Sequence, residues 1–105
     1  VFPTTGCISA TFNADYAYQM AVAEGKEGRA LGFNQIYAPN CDLLREPRWG
    51  RCEENFGEDT LLVTDMCVNM VKGLQENGLE CRILLLVKYE LRYEVTCSAS
   101  ICNNN

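Results

Sequence analysis

Apolar residues recur along the middle of the chain at Val63, Met66, Cys67, Met70, Val71 and Leu74, which is the i, i+3, i+4, i+7, i+8, i+11 spacing of one helix face. Glu58 and Asp59 precede that stripe, where carboxylates suit the positive end of a helix dipole, and Asn77-Gly78 follows it. The spacing therefore predicts a helix over Thr60 to Glu76. A weaker stripe, Ala17, Met20, Ala21, Ala23 and Ala30, runs between Asn13 and Leu31. Asn13 can accept a hydrogen bond from an orphan N–H at its start, and Gly32 can take the left-handed position after its end. Within it Gly25 and Gly28 each cost roughly 1 kcal/mol relative to Ala, so this helix must rely on close packing rather than on propensity.

Two strands are predicted between and after these helices. Phe33 to Ala38 suits a short pleated segment that Pro39 ends by removing a donor. Ile83 to Val87 is a continuous apolar run, the pattern of a strand covered on both faces in a parallel sheet. Pro39 to Asp59 carries prolines, glycines and many charges with no apolar period, which makes it a loop of about twenty residues, a length that is usually functional or disordered. The order of helix, strand, long loop, helix, strand gives an α/β class built on a βαβ unit with parallel strands. After Lys88 the pattern deteriorates, and residues 89–105 read as a divergent, disordered tail.

Composition narrows the function classes. With 105 residues and 48 % hydrophobic content the chain is one small globular domain rather than a disordered segment. Its 9 basic against 14 acidic residues give a net charge of −5, and the Lys and Arg residues are scattered, so the footprint for neutralising phosphates is missing and nucleic acid is a poor partner. No apolar run approaches the ~20 residues that cross a bilayer, which removes a membrane partner. The first residues carry no basic stretch followed by an apolar one, and they leave the compartment open. The 7 cysteines include no CxxC pair and the chain has no histidine, which argues against a metal site. They read mainly as small buried apolar residues, although Cys41 with Cys52, or Cys97 with Cys102, retain the option of pairing under oxidising conditions.

Candidate chemistry concentrates in the loop, which leaves the carboxyl end of a strand, the edge where α/β proteins bind ligands. Trp49 beside Arg45, Arg48 and Arg51, with Asp42, Glu46, Glu53 and Glu54, suits a polyhydroxylated ligand: a ring covers the apolar C–H face of a sugar while guanidinium and carboxylate bond its hydroxyls. The bland alternative is that Arg48, Arg51, Glu53 and Glu54 lock the loop by salt bridges and that Trp49 is a core residue. The neighbouring carboxylates at 53–54 and 58–59 invite a glycosidase acid/base assignment, but adjacent residues seldom present both groups to one ligand. Glu58 and Asp59 are more simply helix N-terminal acids.

Several strings occur in order: Phe2-Pro3, Ala10-Thr11-Phe12-Asn13, Glu27-Gly28-Arg29-Ala30-Leu31-Gly32, Ala38-Pro39 with Asp42, Arg45-Glu46-Pro47-Arg48-Trp49-Gly50-Arg51, Glu54 with Phe56-Gly57-Glu58-Asp59, and Lys72-Gly73-Leu74-Gln75. Together, over about residues 2–79, they resemble the N-terminal catalytic domain of glycoside hydrolase family 3, the β-glucosidases and their relatives. The resemblance implies a segment of a (β/α)₈ TIM barrel, which as a whole needs about 250 residues, with residues 2–88 as the barrel fragment. It also implies retaining hydrolysis of O-glycosyl bonds in a β-linked glucoside or oligosaccharide, without metal or cofactor, and is consistent with a secreted or periplasmic protein.

No residue of this chain matches the family's aspartate nucleophile or its glutamate acid/base, so no catalytic residue is assigned, and the chain alone is expected to be inactive without the remainder of the barrel. What maps is Arg51, similar to the family's arginine in the innermost sugar subsite, and Lys88, similar to the lysine of a Lys-His pair that holds sugar hydroxyls. Tyr89 stands where the family has histidine, and its hydroxyl can still hydrogen-bond a sugar but without imidazole geometry. Asp42, Arg48, Trp49 and Glu54 are read as the loop scaffold that aims Arg51. The alternative from another class is a non-catalytic, truncated homologue that binds carbohydrate or protein through the exposed strand edges of an incomplete barrel.

Overall fold

The computed structural model describes residues 1–87 and 91–97, with side chains described as far as Ile83. A short helix, α1 (Thr5–Ser9), precedes α2 (Ala14–Ala30), strand β1 (Gln35–Ile36), helix α3 (Thr60–Glu76), and strands β2 (Glu80–Val87) and β3 (Leu91–Cys97). The sheet order is β1-β2-β3. β1 pairs with β2 in parallel, Gln35 opposite Glu80 and Ile36 opposite Cys81, as the βαβ reading requires. β3 runs antiparallel to β2, from Cys81 opposite Cys97 to Val87 opposite Leu91.

The described sheet is therefore mixed, where the sequence reading expected parallel strands alone. The physical reason is the connection: a parallel return needs a crossover of a dozen or more residues, and only 88–90 separate β2 from β3. β3 also lies inside the stretch 89–105 that was expected to be a disordered tail. Its sequence alternates Leu91, Tyr93, Val95 and Cys97 with Arg92, Glu94 and Thr96, a period of two that marks a strand.

The two long helices follow their sequence signals closely. Asn13 caps α2 by accepting from the Asp15 N–H at 3.1 Å, and Asp59 caps α3 by accepting from the Leu62 N–H at 2.8 Å. Both helices end the same way. After α2 the Gly32 N–H bonds to the Arg29 carbonyl and the Phe33 N–H to the Gly28 carbonyl, with Gly32 at φ +91°. After α3 the Gly78 N–H bonds to the Gln75 carbonyl and the Leu79 N–H to the Leu74 carbonyl, with Gly78 at φ +83°. These are Schellman motifs, which satisfy carbonyls that the helix leaves unpaired.

Packing of α2 on α3 accounts for the glycines that propensity alone disfavours. A Cβ on Gly73 would lie 2.7 Å from the Tyr18 carbonyl oxygen and 2.8 Å from the Ala21 Cβ, and one on Gly25 would lie 2.7 Å from the Asn77 Cβ. The helix backbones thus approach more closely than side chains would allow. Ala17, Met20 and Ala21 of α2 bury against Val63, Met66, Cys67, Met70 and Leu74 of α3, while Ala30, assigned to the same face from sequence, is exposed. β1 covers only Gln35–Ile36 of the predicted 33–38, and β2 begins at Glu80, three residues before the predicted run.

Candidate functional site

The loop leaves β1 and returns to the N-terminus of α3, and backbone contacts pin its two ends. Pro39, Asn40 and Asp42 are buried immediately after the strand, and the Asn40 Oδ1 accepts from the Asp42 N–H at 3.4 Å. The Leu44 N–H donates to the Gly57 carbonyl at 2.9 Å, joining the outgoing and returning segments. Asn55 and Phe56 are buried at the return, 2 % and 1 % exposed, so Phe56 holds the loop on the core. α1 contributes from outside: the Thr5 hydroxyl lies 3.1 Å from the Glu53 carbonyl and 3.3 Å from the Asn55 carbonyl, as a donor to both.

Between these pins a single 3₁₀ turn, Cys52–Glu54, brings Arg51 and Glu54 face to face. Arg51 Nε donates to Glu54 Oε1 at 2.9 Å and Nη2 to Oε2 at 2.5 Å, a forked pair of the bidentate kind. The Asn55 amide donates to the Arg51 carbonyl at 2.9 Å and fixes the backbone beneath it. Their side chains are 37 % and 42 % exposed, so the pair is open to a ligand. The Glu54 carboxylate raises the Arg51 guanidinium above its ordinary value, with the negative charges of Asp42 and Glu53 adding to it, and the Arg51 hydrogen bonds hold the Glu54 carboxyl below its ordinary value. Both groups are charged throughout the neutral range.

The predicted site residues divide accordingly. Arg51 and Glu54 are brought together in the forked pair. Arg48 instead pairs with Glu46, Nε to Oε1 at 2.7 Å and Nη2 to Oε2 at 2.8 Å, with its side chain 87 % exposed. The locking pairs are thus Arg48 with Glu46 and Arg51 with Glu54. Asp42 is buried at the start of the loop, Trp49 is half-buried with its backbone N–H donating to the Glu46 carbonyl at 3.1 Å, and Asp59 is the helix cap already described. Cys41 and Cys52 are free thiols, so the pairing considered for them is not formed. Lys88 and Tyr89 lie outside the described residues.

Sequence reasoning missed Asn40 and Asn55 as site elements. Both are more than nine-tenths buried, and the Asn40 Nδ2 and Asn55 Oδ1 have no hydrogen-bond partner among the described residues. Burial of a polar side chain is set by tertiary placement and leaves no periodic signal. On the neighbouring strand edge the Arg82 guanidinium stacks 5.5 Å from the Tyr37 ring centroid and donates to the Tyr37 hydroxyl at 3.1 Å.

The family described as glycosyl hydrolase family 3 N terminal domain matches residues 1–89. The chain belongs to this family. The match runs ten residues beyond 79, where the resemblance noted from sequence ends, and takes in Lys88 and Tyr89. Among relatives of this family 3 chain, a periplasmic beta-glucosidase of Salmonella typhimurium is 40 % identical over 75 residues, covering 71 % of the chain and 10 % of the relative. A beta-xylosidase of Formosa agariphila is 38 % identical over 81 residues, covering 76 % of the chain and 11 % of the relative. A crystal structure of a family 3 glycosyl hydrolase from Mycobacterium smegmatis superposes with a TM-score of 0.72 at 25 % identity, over 78 % of the chain and 26 % of that structure. The chain thus spans about a tenth of the length of the relatives it matches.

Proposed function

We propose that this family 3 chain is part of the (β/α)₈ barrel of a retaining β-glycosidase acting on β-linked glucosides, xylosides or oligosaccharides, and that Arg51 binds sugar hydroxyls in it. Residues 2–88 supply the barrel fragment, with the rest of the barrel as its partner, and the chain alone turns over no substrate. The observation that carries this reading is the forked Arg51–Glu54 pair on a loop at the carboxyl end of a parallel strand. Two of the five guanidinium N–H donors are engaged by Glu54, which fixes the plane of the group and leaves the others for hydroxyl oxygens. A preset plane removes the rotamer entropy that sugar binding would otherwise cost. Trp49, half-buried on the same loop, is suited to cover the apolar face of a sugar ring.

The names of two relatives, a beta-glucosidase and a beta-xylosidase, agree on the β linkage and differ in the sugar, so the proposal commits to the linkage. Retention would require a nucleophile and an acid/base on two carboxyl groups about 5 Å apart, which we place outside the residues of this loop. Lys88 and Tyr89 join Arg51 in this proposal as sugar-binding groups.

Hydrolysis of chromogenic aryl β-glucoside and β-xyloside by the 105-residue chain and its Arg51→Ala variant, with sugar binding followed by Trp49 fluorescence, tests it. No turnover by either chain, with a saturable fluorescence change that Arg51→Ala abolishes, is the expected result. Turnover lost in Arg51→Ala would place the catalytic carboxylates within this chain, with Glu53, Glu54, Glu58 and Asp59 first to be replaced, and would overturn the proposed inactivity. A fluorescence change unaltered by Arg51→Ala would overturn the role of Arg51.

A further inference from the structure

Cys41 and Cys67 belong to different parts of the molecule, the first turn of the loop after β1 and the middle of α3, yet the fold brings these two segments together. The Cys67 thiol is 6 % exposed and points at the loop, its Sγ 3.9 Å from the Asn40 carbonyl oxygen, one peptide plane from Cys41. Cys41, the next residue after Asn40, packs against the core cluster that contains Cys67. Both are free, and Cys41 is half-buried, so solvent reaches it while Cys67 lies behind it. The neighbouring Cys41 thiol, burial and the nearby Asp42 carboxylate push the Cys67 thiol well up, which disfavours Cys67 as the first nucleophile.

We propose that Cys41 and Cys67 form an oxidation-dependent disulfide that ties the start of the site loop to α3, with Cys41 as the attacking thiol and Cys67 as the resolving one. The oxidant is a small-molecule disulfide of the glutathione class. In the first step the Cys41 thiolate attacks one sulfur of that disulfide, forming a mixed disulfide and expelling one small thiolate, which takes up the proton that Cys41 lost. In the second, Cys67 gives up its proton to solvent as its sulfur attacks the Cys41 Sγ, expelling the second small thiolate, which is protonated in turn. Two protein thiols are oxidised to one S–S bond, and one small disulfide is reduced to two thiols. The Cys67 sulfur already lies 3.9 Å from the carbonyl of the residue before Cys41, which limits the backbone movement that is the usual obstacle to a new disulfide. This inference does not rest on the sugar-binding reading.

Oxidised glutathione is added to the native 105-residue Cys52→Ser chain, free thiols are alkylated, and the tryptic peptides are weighed. The Cys52 replacement is needed because trypsin leaves positions 52 and 67 on one peptide. The expected product joins the peptide of residues 30–45 to that of residues 52–72, two hydrogen masses below their sum. A Cys52→Ser, Cys67→Ser chain should instead keep glutathione on Cys41, because the resolving thiol is gone. In denaturing urea the preference for this pair should be lost among the remaining cysteines. Cys41 that stops at the glutathione adduct in the Cys52→Ser chain, Cys67 that is alkylated after oxidation, or a pairing unchanged by urea would each overturn the proposal.

Discussion

The α2–α3 pair and the 39–59 loop lie side by side in one short chain and are held by different forces. Between the helices the contacts are backbone against backbone and methyl against methyl, with Gly73 under the Tyr18 carbonyl and Leu74 fully buried. In the loop the holding groups are charged forks and amides, Arg51 on Glu54 and Asn55 on the Arg51 carbonyl, much of it open to water. Close packing tolerates almost no change of volume, whereas exposed ion pairs contribute little to stability but set the direction in which a side chain points. The helical layer is thus the part that determines whether the chain folds, and the loop the part in which the folded chain aims its charged groups.

That contrast can be broken most severely at Leu74. Replacing a fully buried Leu by Ala removes apolar contact and leaves a cavity, so Leu74→Ala should lower unfolding free energy by ~2–5 kcal/mol in a urea titration. Gly73→Ala should follow at ~1–3 kcal/mol, since its methyl would press on backbone atoms that cannot yield. Gly50→Ala, with open space around the added methyl, is the matching control and should stay within about 0.5 kcal/mol in the same titration. Asp59→Ala, which deletes the α3 cap, should cost about 1 kcal/mol by the same measurement.

Changes in the loop should sharpen the contrast from the other side. Arg48→Ala should move the urea midpoint hardly at all, because its pair with Glu46 is exposed. Glu54 adds a pH dependence whose sign follows from its depressed carboxyl. The stabilisation it contributes is fully present above the ordinary carboxylate value of 4.5 and is lost as pH falls through the depressed folded value. An NMR titration of the Glu54 carboxyl carbon should show a midpoint below 4.5 that returns toward it in Arg51→Ala. A midpoint indifferent to Arg51 would show that the fork does not persist in solution.

The same contrast explains what could be read from residues alone. α3 was legible to its bounds, because a stripe of six apolar side chains between Asp59 and Gly78 leaves one solution. α2 was legible in its caps but not in its contact face, since the glycines that decide the helix approach look like defects until the partner helix is seen. α1, five residues long, is too short for any period to show. β3 lies outside the predicted elements although its alternation is present, since Arg92, Glu94 and Thr96 interrupt its apolar positions and leave neither a helix stripe nor a continuous buried run. In the loop, Arg51 and Glu54 were legible as a motif, while the partner of Arg48 was not, since Asp42, Glu46, Glu53 and Glu54 all stand within six residues of it and only the turn geometry selects Glu46.

The hydrogen bond from Leu44 to Gly57 has a bearing on how such a chain can diversify. It clamps the stem of a twelve-residue ring, and because Asn55 and Phe56 at the end of that ring are buried on the core, its freedom is confined to the mostly exposed positions before them. Lengthening that ring costs only the slowly growing entropy of closure, about 0.6 kcal/mol for each doubling. The exposed part of the loop can therefore be redrawn above the clamp by insertion or exchange of short segments, as a graft on a stem, without renegotiating the sheet beneath it.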